Sequence, residues 1–173
     1  MTQGPVVDLR TTMGAMAIEL DPDKAPVTTG NFLEYVAAGF YDGLIFHRVI
    51  ADFMIQGGGF NREFERADAR PPIQNEADNG LPNLRGTIAM ARTGDPHSAA
   101  AQFFVNLKDN AFLDHQAKTP KGWGYAVFGR VIEGMDVVDR IGATDTGRCG
   151  PFESDCPLEA VVIESATVRA DEE

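Results

Sequence analysis

The sequence predicts a mainly β domain, either a sandwich or a closed barrel, with two short helices. Three observations predict it. About eight short apolar runs are separated by clusters of Gly, Pro, Asn and Asp, the pattern of an all-β architecture with irregular turns. Only two segments carry apolar residues at helical spacing. At 173 residues the chain suits one domain, able to bury about 70% of its extended-chain surface without staples.

Taken in order, Val6–Arg10 and Ala15–Leu20 flank Thr12-Met13-Gly14 and read as a hairpin. Helical spacing follows Pro26, where Phe32, Tyr35 and Val36 share a face, Pro26 suits the first turn and Gly39 the stop. Gly30 and two threonines make this helix weak, so it needs an apolar surface to dock on, which fits the open end of a barrel. Leu44–Ile50, Phe53–Gly57, Thr87–Ala91, Gln102–Leu107 and Ala126–Ile132 are further strand candidates. A second helix is expected from Gly134 to Ile141, with Met135, Val138 and Ile141 on one face and Gly142 as terminator; a last strand follows at Val161–Val168. Regular patterning disappears between Phe60 and Thr87, and a loop of that length is functional or packed on itself. Leu113 to Gly124 reads as a second long loop. One domain over residues 1–173 is expected, its core at about 6–168, with a disordered acidic tail at Asp171-Glu172-Glu173.

Fifteen basic and twenty-six acidic residues give a net charge of −11, which repels phosphate backbones and anionic membranes and argues against a nucleic-acid or membrane partner. No basic n-region begins the chain, and no run approaches the roughly 18 apolar residues of a membrane span. A cytoplasmic protein is expected. In a reducing cytoplasm Cys149 and Cys156, both in Gly/Pro/Asp-rich sequence, are expected to be two thiols, with a disulfide the minor reading.

The segment from Phe46 to Phe60 is unusual because it sets a cation, Arg48, and an amide, Gln56, among large apolar side chains. A guanidinium stays charged in any protein environment, so burying part of it is costly unless its donors are satisfied. Either Arg48 snorkels from a rim to water or the chain uses it. Competing chemistry finds little support. His47, His97 and His115 have no paired spacing and no neighbouring cysteine, which argues against zinc. His47, on the opposite face from Arg48, reads as structural, and the other two as exposed loop residues. Ser98 lies outside any nucleophile elbow. Gly57-Gly58-Gly59 lacks the ending of a phosphate loop and reads as a strand that must bend or admit another backbone. Convergent apolar groups around one cation suit binding an extended, partly apolar ligand.

Several ordered blocks make the chain resemble the cyclophilins, peptidyl-prolyl cis–trans isomerases. They are Phe46-His47-Arg48-Val49-Ile50 through Phe53-Met54-Ile55-Gln56-Gly57-Gly58, then Gly86-Thr87-Ile88-Ala89-Met90-Ala91-Arg92 and Gln102-Phe103-Phe104-Val105-Asn106, then Phe112-Leu113 and Tyr125-Ala126-Val127-Phe128-Gly129. The resemblance runs from about Val6 to Val168, and Trp123-Gly124-Tyr125 after a lengthened loop resembles the bacterial cytosolic type. It implies a closed eight-stranded antiparallel barrel with a helix at each end, no cofactor and no metal. By position it implies that Arg48 is the catalytic arginine and Gln56 its orienting amide. Phe53, Met54, Phe104 and Leu113 would form the proline pocket, with Phe112 and Tyr125 on its rim. Ala91, Arg92 and Gln102 would line the groove for the peptide N-terminal to the proline.

Expected partners are proline-containing peptides and unfolded or folding proteins; a non-catalytic proline-peptide binder or holdase on the same fold is the alternative. Phe112 stands where many eukaryotic members carry tryptophan and Tyr125 where they carry histidine, so cyclosporin is expected to bind weakly. Arg92, where asparagine is frequent, is expected to pair with a local carboxylate rather than to favour acidic residues before the proline. A monomer is expected.

Overall fold

The hairpin expected at the start of the chain forms from β1 (Val6–Thr11) and β2 (Gly14–Leu20). The Thr11 hydroxyl donates to the Gly14 carbonyl, and the Met13 amide donates back to that hydroxyl. The computed structural model describes residues 4–169; the acidic tail lies outside them. The remaining strands are β3 (Arg48–Ile50), β4 (Met54–Gly57), β5 (Thr87–Met90), β6 (Phe103–Asn106), β7 (Val127–Glu133), β8 (Thr146–Cys149), β9 (Phe152–Pro157) and β10 (Ile163–Val168). Eight of them form one curled antiparallel sheet in the order β10-β1-β2-β7-β5-β6-β4-β3.

The expected run Leu44–Ile50 contributes only β3 to that sheet. Residues 43–46 meet residues 161–163, at the start of β10, around one isolated bridge between Ile45 and Val162: the Gly43 amide donates to the Ile163 carbonyl at 2.7 Å, the Ile163 amide to Leu44 at 2.8 Å and the Phe46 amide to Val161 at 3.0 Å. The outer strands therefore approach each other without a continuous ladder.

Two helices pack on the sheet. Helix α1 (Pro26–Ala37) begins with its proline, and Gly39 follows it at φ +70°. Ala25 offers no side chain to cap the first amides. Glu76, distant in sequence, does it instead: its carboxylate accepts from the amides of Val27 and Thr28 and from the Thr28 hydroxyl. A negative charge there satisfies orphan donors and meets the positive end of the helix dipole. Phe32 then packs within 5.7 Å of Tyr41, Phe103 and Phe128, the apolar dock that this intrinsically weak helix requires. Helix α2 (Met135–Gly142) buries Val138 and Ile141 completely.

Strands β8 and β9 form a separate hairpin that the sequence reading took for a loop, and they overturn the expectation of two free thiols. Cys149, opposite Phe152, and Cys156, opposite Gly147, lie on its two strands and are joined by a disulfide. The signal was weak because Gly147, Gly150, Pro151 and Pro157 interrupt any alternation. From this hairpin Phe152 packs on His47 and Phe60, with ring centroids 5.2 and 4.9 Å away.

Two predictions follow from this packing. A cross-link closing so short a segment contributes about 2 kcal/mol in the chain-entropy account. Guanidinium unfolding of the oxidised protein should weaken by that amount on adding dithiothreitol, and Cys149→Ser should abolish the difference; identical midpoints would refute it. His47 is held neutral, its pKa lowered to about 4 by burial and secondarily by the charge of Arg48. The unfolded imidazole titrates near 6.5, so its contribution is complete above that pH and is lost as pH falls towards 4. The total is about 3 kcal/mol. Wild type should lose that much more stability than His47→Phe between pH 7 and 4, and parallel pH profiles would sink the assignment.

Candidate active site

Alternation along the strands creates two faces, and the site occupies the outer one. Val49, Ile55, Val105 and Ile88 pair across β3, β4, β6 and β5 and are at most 1% exposed in the main core. Their neighbours form a second row: Arg48 opposite Gln56, Gln56 opposite Phe104, Phe104 opposite Ala89 and Ala89 opposite Val127. Side chains one residue apart point to opposite faces, so this row lies outside the main core. There Met54, Ala89, Phe104, Leu113 and Val127 form a second apolar cluster, with Phe53, Ala91 and Tyr125 packed against it.

A cavity of about 250 Å³ opens over that cluster. Arg48, Gln56, Phe53, Met54, Phe104, Leu113, Phe112, Tyr125, Ala91 and Arg92 line it. Every residue expected at the proline pocket and its rim therefore converges on one space. Gln102 lines an adjoining cavity of about 130 Å³, which shares Gln56, Ala91 and Arg92 with the first.

Arg48 is exposed, contrary to its expected partial burial on an apolar platform. Its neighbours on the opposite face are buried, but the guanidinium stands at the open edge of the cavity, so little desolvation cost arises. Nη1 of Arg48 donates to Oε1 of Gln56 at 3.1 Å, and Nε2 of Gln56 donates to Oε1 of Gln102 at 3.0 Å. The chain has one polarity. The cation selects the oxygen end of Gln56, and Gln102 accepts from its nitrogen end, so the Gln56 amide is held from both sides. Gly59 makes room for this arrangement: a Cβ there would lie 2.5 Å from the Gln102 side chain. The glycine run thus permits close approach, as its sequence reading expected, and Gly58 adds a φ of +87°.

The far wall is carried by a loop. Phe112 and Leu113 lie on a 3-10 turn (Ala111–Leu113), Leu113 buried and Phe112 67% exposed and stacked on Phe53 at 5.7 Å. A buried amide network anchors this turn. Asn106 Nδ2 donates to Asn83 and to the Thr87 hydroxyl, while Asn110 Nδ2 donates to the carbonyl of Phe53 and to Asn106. The three asparagines are at most 1% exposed. Their contribution was not legible in the sequence, since a buried amide in irregular backbone has no periodicity. Asn106 belongs to the motif Gln102-Phe103-Phe104-Val105-Asn106, whose resemblance implies no role for it.

The environment of Arg92 corrects another expectation. It pairs with no carboxylate among the described residues. Nε donates to the Gly124 carbonyl at 3.0 Å, Nη1 to the Thr93 carbonyl at 2.8 Å, and the guanidinium lies 4.6 Å from the centroid of the Tyr125 ring. Tyr125 in turn meets Phe104 edge-on at 5.7 Å. Arg66, which the sequence reading passed over, joins the wall of the second cavity. Of the other histidines, His97 is exposed, whereas His115 is half-buried against Trp123. No group of three or more His, Cys, Asp or Glu side chains converges among the described residues.

Comparison with known proteins agrees with the fold. Residues 6–168 match the family described as cyclophilin type peptidyl-prolyl cis-trans isomerase/CLD. Over 162 residues the chain is 60% identical to peptidyl-prolyl cis-trans isomerase cyp18 of Streptomyces antibioticus, covering 94% of this chain and 97% of that protein. It is 53% identical over 163 residues to peptidyl-prolyl cis-trans isomerase B of Escherichia coli (strain K12), with 94% and 99% covered. A crystal structure of a Cryptosporidium parvum cyclophilin type peptidyl-prolyl cis-trans isomerase in the presence of the dipeptide Ala-Pro shares the fold. Its TM-score is 0.78 at 24% identity, covering 96% of this chain and 99% of that one. With its apolar cavity edged by an arginine and its match over nearly the whole described length, the chain belongs to the cyclophilin-type peptidyl-prolyl cis-trans isomerase family.

Proposed function

We propose that the protein accelerates X–Pro rotation in peptides and in unfolded or folding proteins by donating a hydrogen bond from Arg48 to the prolyl nitrogen. The observation that carries this reading is the position of Arg48, held by Gln56 at the edge of the Phe53–Met54–Phe104–Leu113 cavity. Rotation destroys amide resonance and has a barrier of ~18–20 kcal/mol. In the twisted transition state the nitrogen regains its lone pair and accepts a hydrogen bond that the planar ground states cannot accept. A donor waiting there favours the transition state over both isomers. Arginine does so without titrating.

The apolar wall has a complementary role. It removes water from around the ring and holds that end of the substrate while the acyl side turns. Ala91, Arg92 and Gln102 would support the chain that leaves the prolyl nitrogen. A rate gain of roughly 10⁵ requires ~7 kcal/mol, of which one charge-assisted hydrogen bond supplies about 2–3. Positioning and desolvation account for the rest. A non-catalytic binder would have no use for a cation held by an oriented amide.

The proposal extends to the whole molecule. The hydrogen bonds between residues 43–46 and 161–163 support reading the curled sheet as a closed barrel. A monomer is proposed, the exposed large apolar side chains Val27, Leu84, Phe112, Ile132, Leu158 and Val168 being dispersed along the chain, and a cytoplasmic location is proposed, in which the Cys149–Cys156 disulfide would have to withstand reduction; sedimentation and cell fractionation test these two points.

Exchange spectroscopy on an Ala-Pro peptide tests the catalytic role. Arg48→Ala should lower the enhancement about 10²-fold, the loss of one charge-assisted hydrogen bond, while peptide binding persists. Equal enhancement in both proteins would remove Arg48 from the mechanism. Phenylalanine at position 112 has no indole N–H to offer a bound cyclic peptide. Cyclosporin should therefore bind weakly and Phe112→Trp should tighten it several-fold; nanomolar inhibition of the wild type in a titration would refute this.

A further inference from the structure

The charge around the two joined cavities is opposite to that of the molecule. The chain carries −11 overall, yet Arg48, Arg66 and Arg92 line these cavities and no Asp or Glu does. Of the arginines elsewhere, Arg70, Arg85, Arg130, Arg140 and Arg169 pair with Glu34, Asp139, Glu19, Asp136 and Asp8, while Arg10, Arg62 and Arg148 have no ion-pair partner among the described residues and line neither cavity. None of the three site arginines has an ion-pair partner among the described residues. Arg92 is held by neutral carbonyls and an aromatic face, and Arg48 by an amide oxygen. These contacts fix the guanidinium planes and leave their charge uncompensated. A concave wall concentrates such a field.

The arrangement is directional. The acyl chain of a bound proline leaves the ring at its nitrogen, the atom assigned to Arg48. Gln56, beside Arg48, belongs to both cavities, and Arg92 stands on their shared border. Arg66 lies farther along, in the second cavity only, held there by the antiparallel bridge between Phe60 and Arg66. An extended peptide running from the first cavity into the second therefore passes Arg92 and then Arg66.

We propose that the groove selects peptides bearing carboxylate side chains, Asp or Glu, among the few residues preceding the proline, and that Arg92 and Arg66 are the specificity residues. The proposal deepens the isomerase reading and rests on it. Neither arginine is required to touch the rotating bond, so the preference is expected in the affinity for substrate and therefore in kcat/KM.

The test uses the full-length protein and peptides in which Glu, Gln or Lys occupies each of the three positions before proline, with an all-Ala peptide as reference. At low salt at least one position should show kcat/KM about fivefold higher for Glu than for Gln, the upper range for a partly exposed ion pair, and lower still for Lys. The preference should shrink as ionic strength rises. Arg92→Gln and Arg66→Gln should each move the Glu-to-Gln ratio towards one, and Arg66→Glu should turn it in favour of Lys. Because the ratio is internal to each preparation, partial misfolding of a variant leaves it unchanged. Equal values for Glu, Gln and Lys, with the all-Ala peptide still accelerated, would overturn the charge proposal alone. No acceleration of the all-Ala peptide would remove the isomerase reading and this proposal together.

Discussion

Register across β3, β4, β6, β5 and β7 is what the site depends on. With a side-chain period of two, a slip of one residue between neighbouring strands exchanges the row Val49–Ile55–Val105–Ile88 with the row Arg48–Gln56–Phe104–Ala89. Such a slip would bring Ile55, Val105 and Ile88 out of the core at roughly 2 kcal/mol each and carry a guanidinium inward. The core therefore holds the site in place without touching it. The apolar cluster beneath the cavity follows from the same pleat, as do the facing positions of Arg48 and Gln56.

Precision within that frame comes from polar contacts at its edges. The chain Arg48–Gln56–Gln102 fixes an amide between two partners, and the absence of a Cβ at Gly59 lets Gln102 approach. Opposite it, Asn83, Asn106 and Asn110 hold the irregular turn that bears Leu113 and Phe112. A buried amide left without partners costs about 1–3 kcal/mol, so this network specifies the turn as well as stabilising it. The exposure of Arg48 fits the same economy: its charge remains available at the cavity edge, and the fold bears little desolvation cost for it.

Contacts remote in sequence complete the molecule. Glu76, from the long loop between β4 and β5, caps helix α1, and the β8–β9 hairpin covers His47 with Phe152. Both segments have little periodicity of their own. The loop is packed onto the body of the protein, which is why its length is compatible with a compact domain.

Local pattern was enough to locate the eight strands of the main sheet and both helices, because alternation, helical spacing and glycine or proline stops are written in neighbouring residues. Pro26 and Gly39 bracket α1 for that reason. The residues around the cavity came from the family resemblance. The ordered motifs carried Arg48, Gln56, Phe104 and Leu113 together before any contact was known. Other features depended on partners distant in the chain. The pairing of Cys149 with Cys156 required a hairpin that Gly and Pro disguised, the unpaired charge of Arg92 required Gly124 and Tyr125 at hand, and Arg66 reached the groove through its bridge to Phe60. Sequence by itself determined which side chains each strand presents on which face. Only the tertiary structure decided which charges found partners, because pairing depends on distances between segments that local periodicity does not encode.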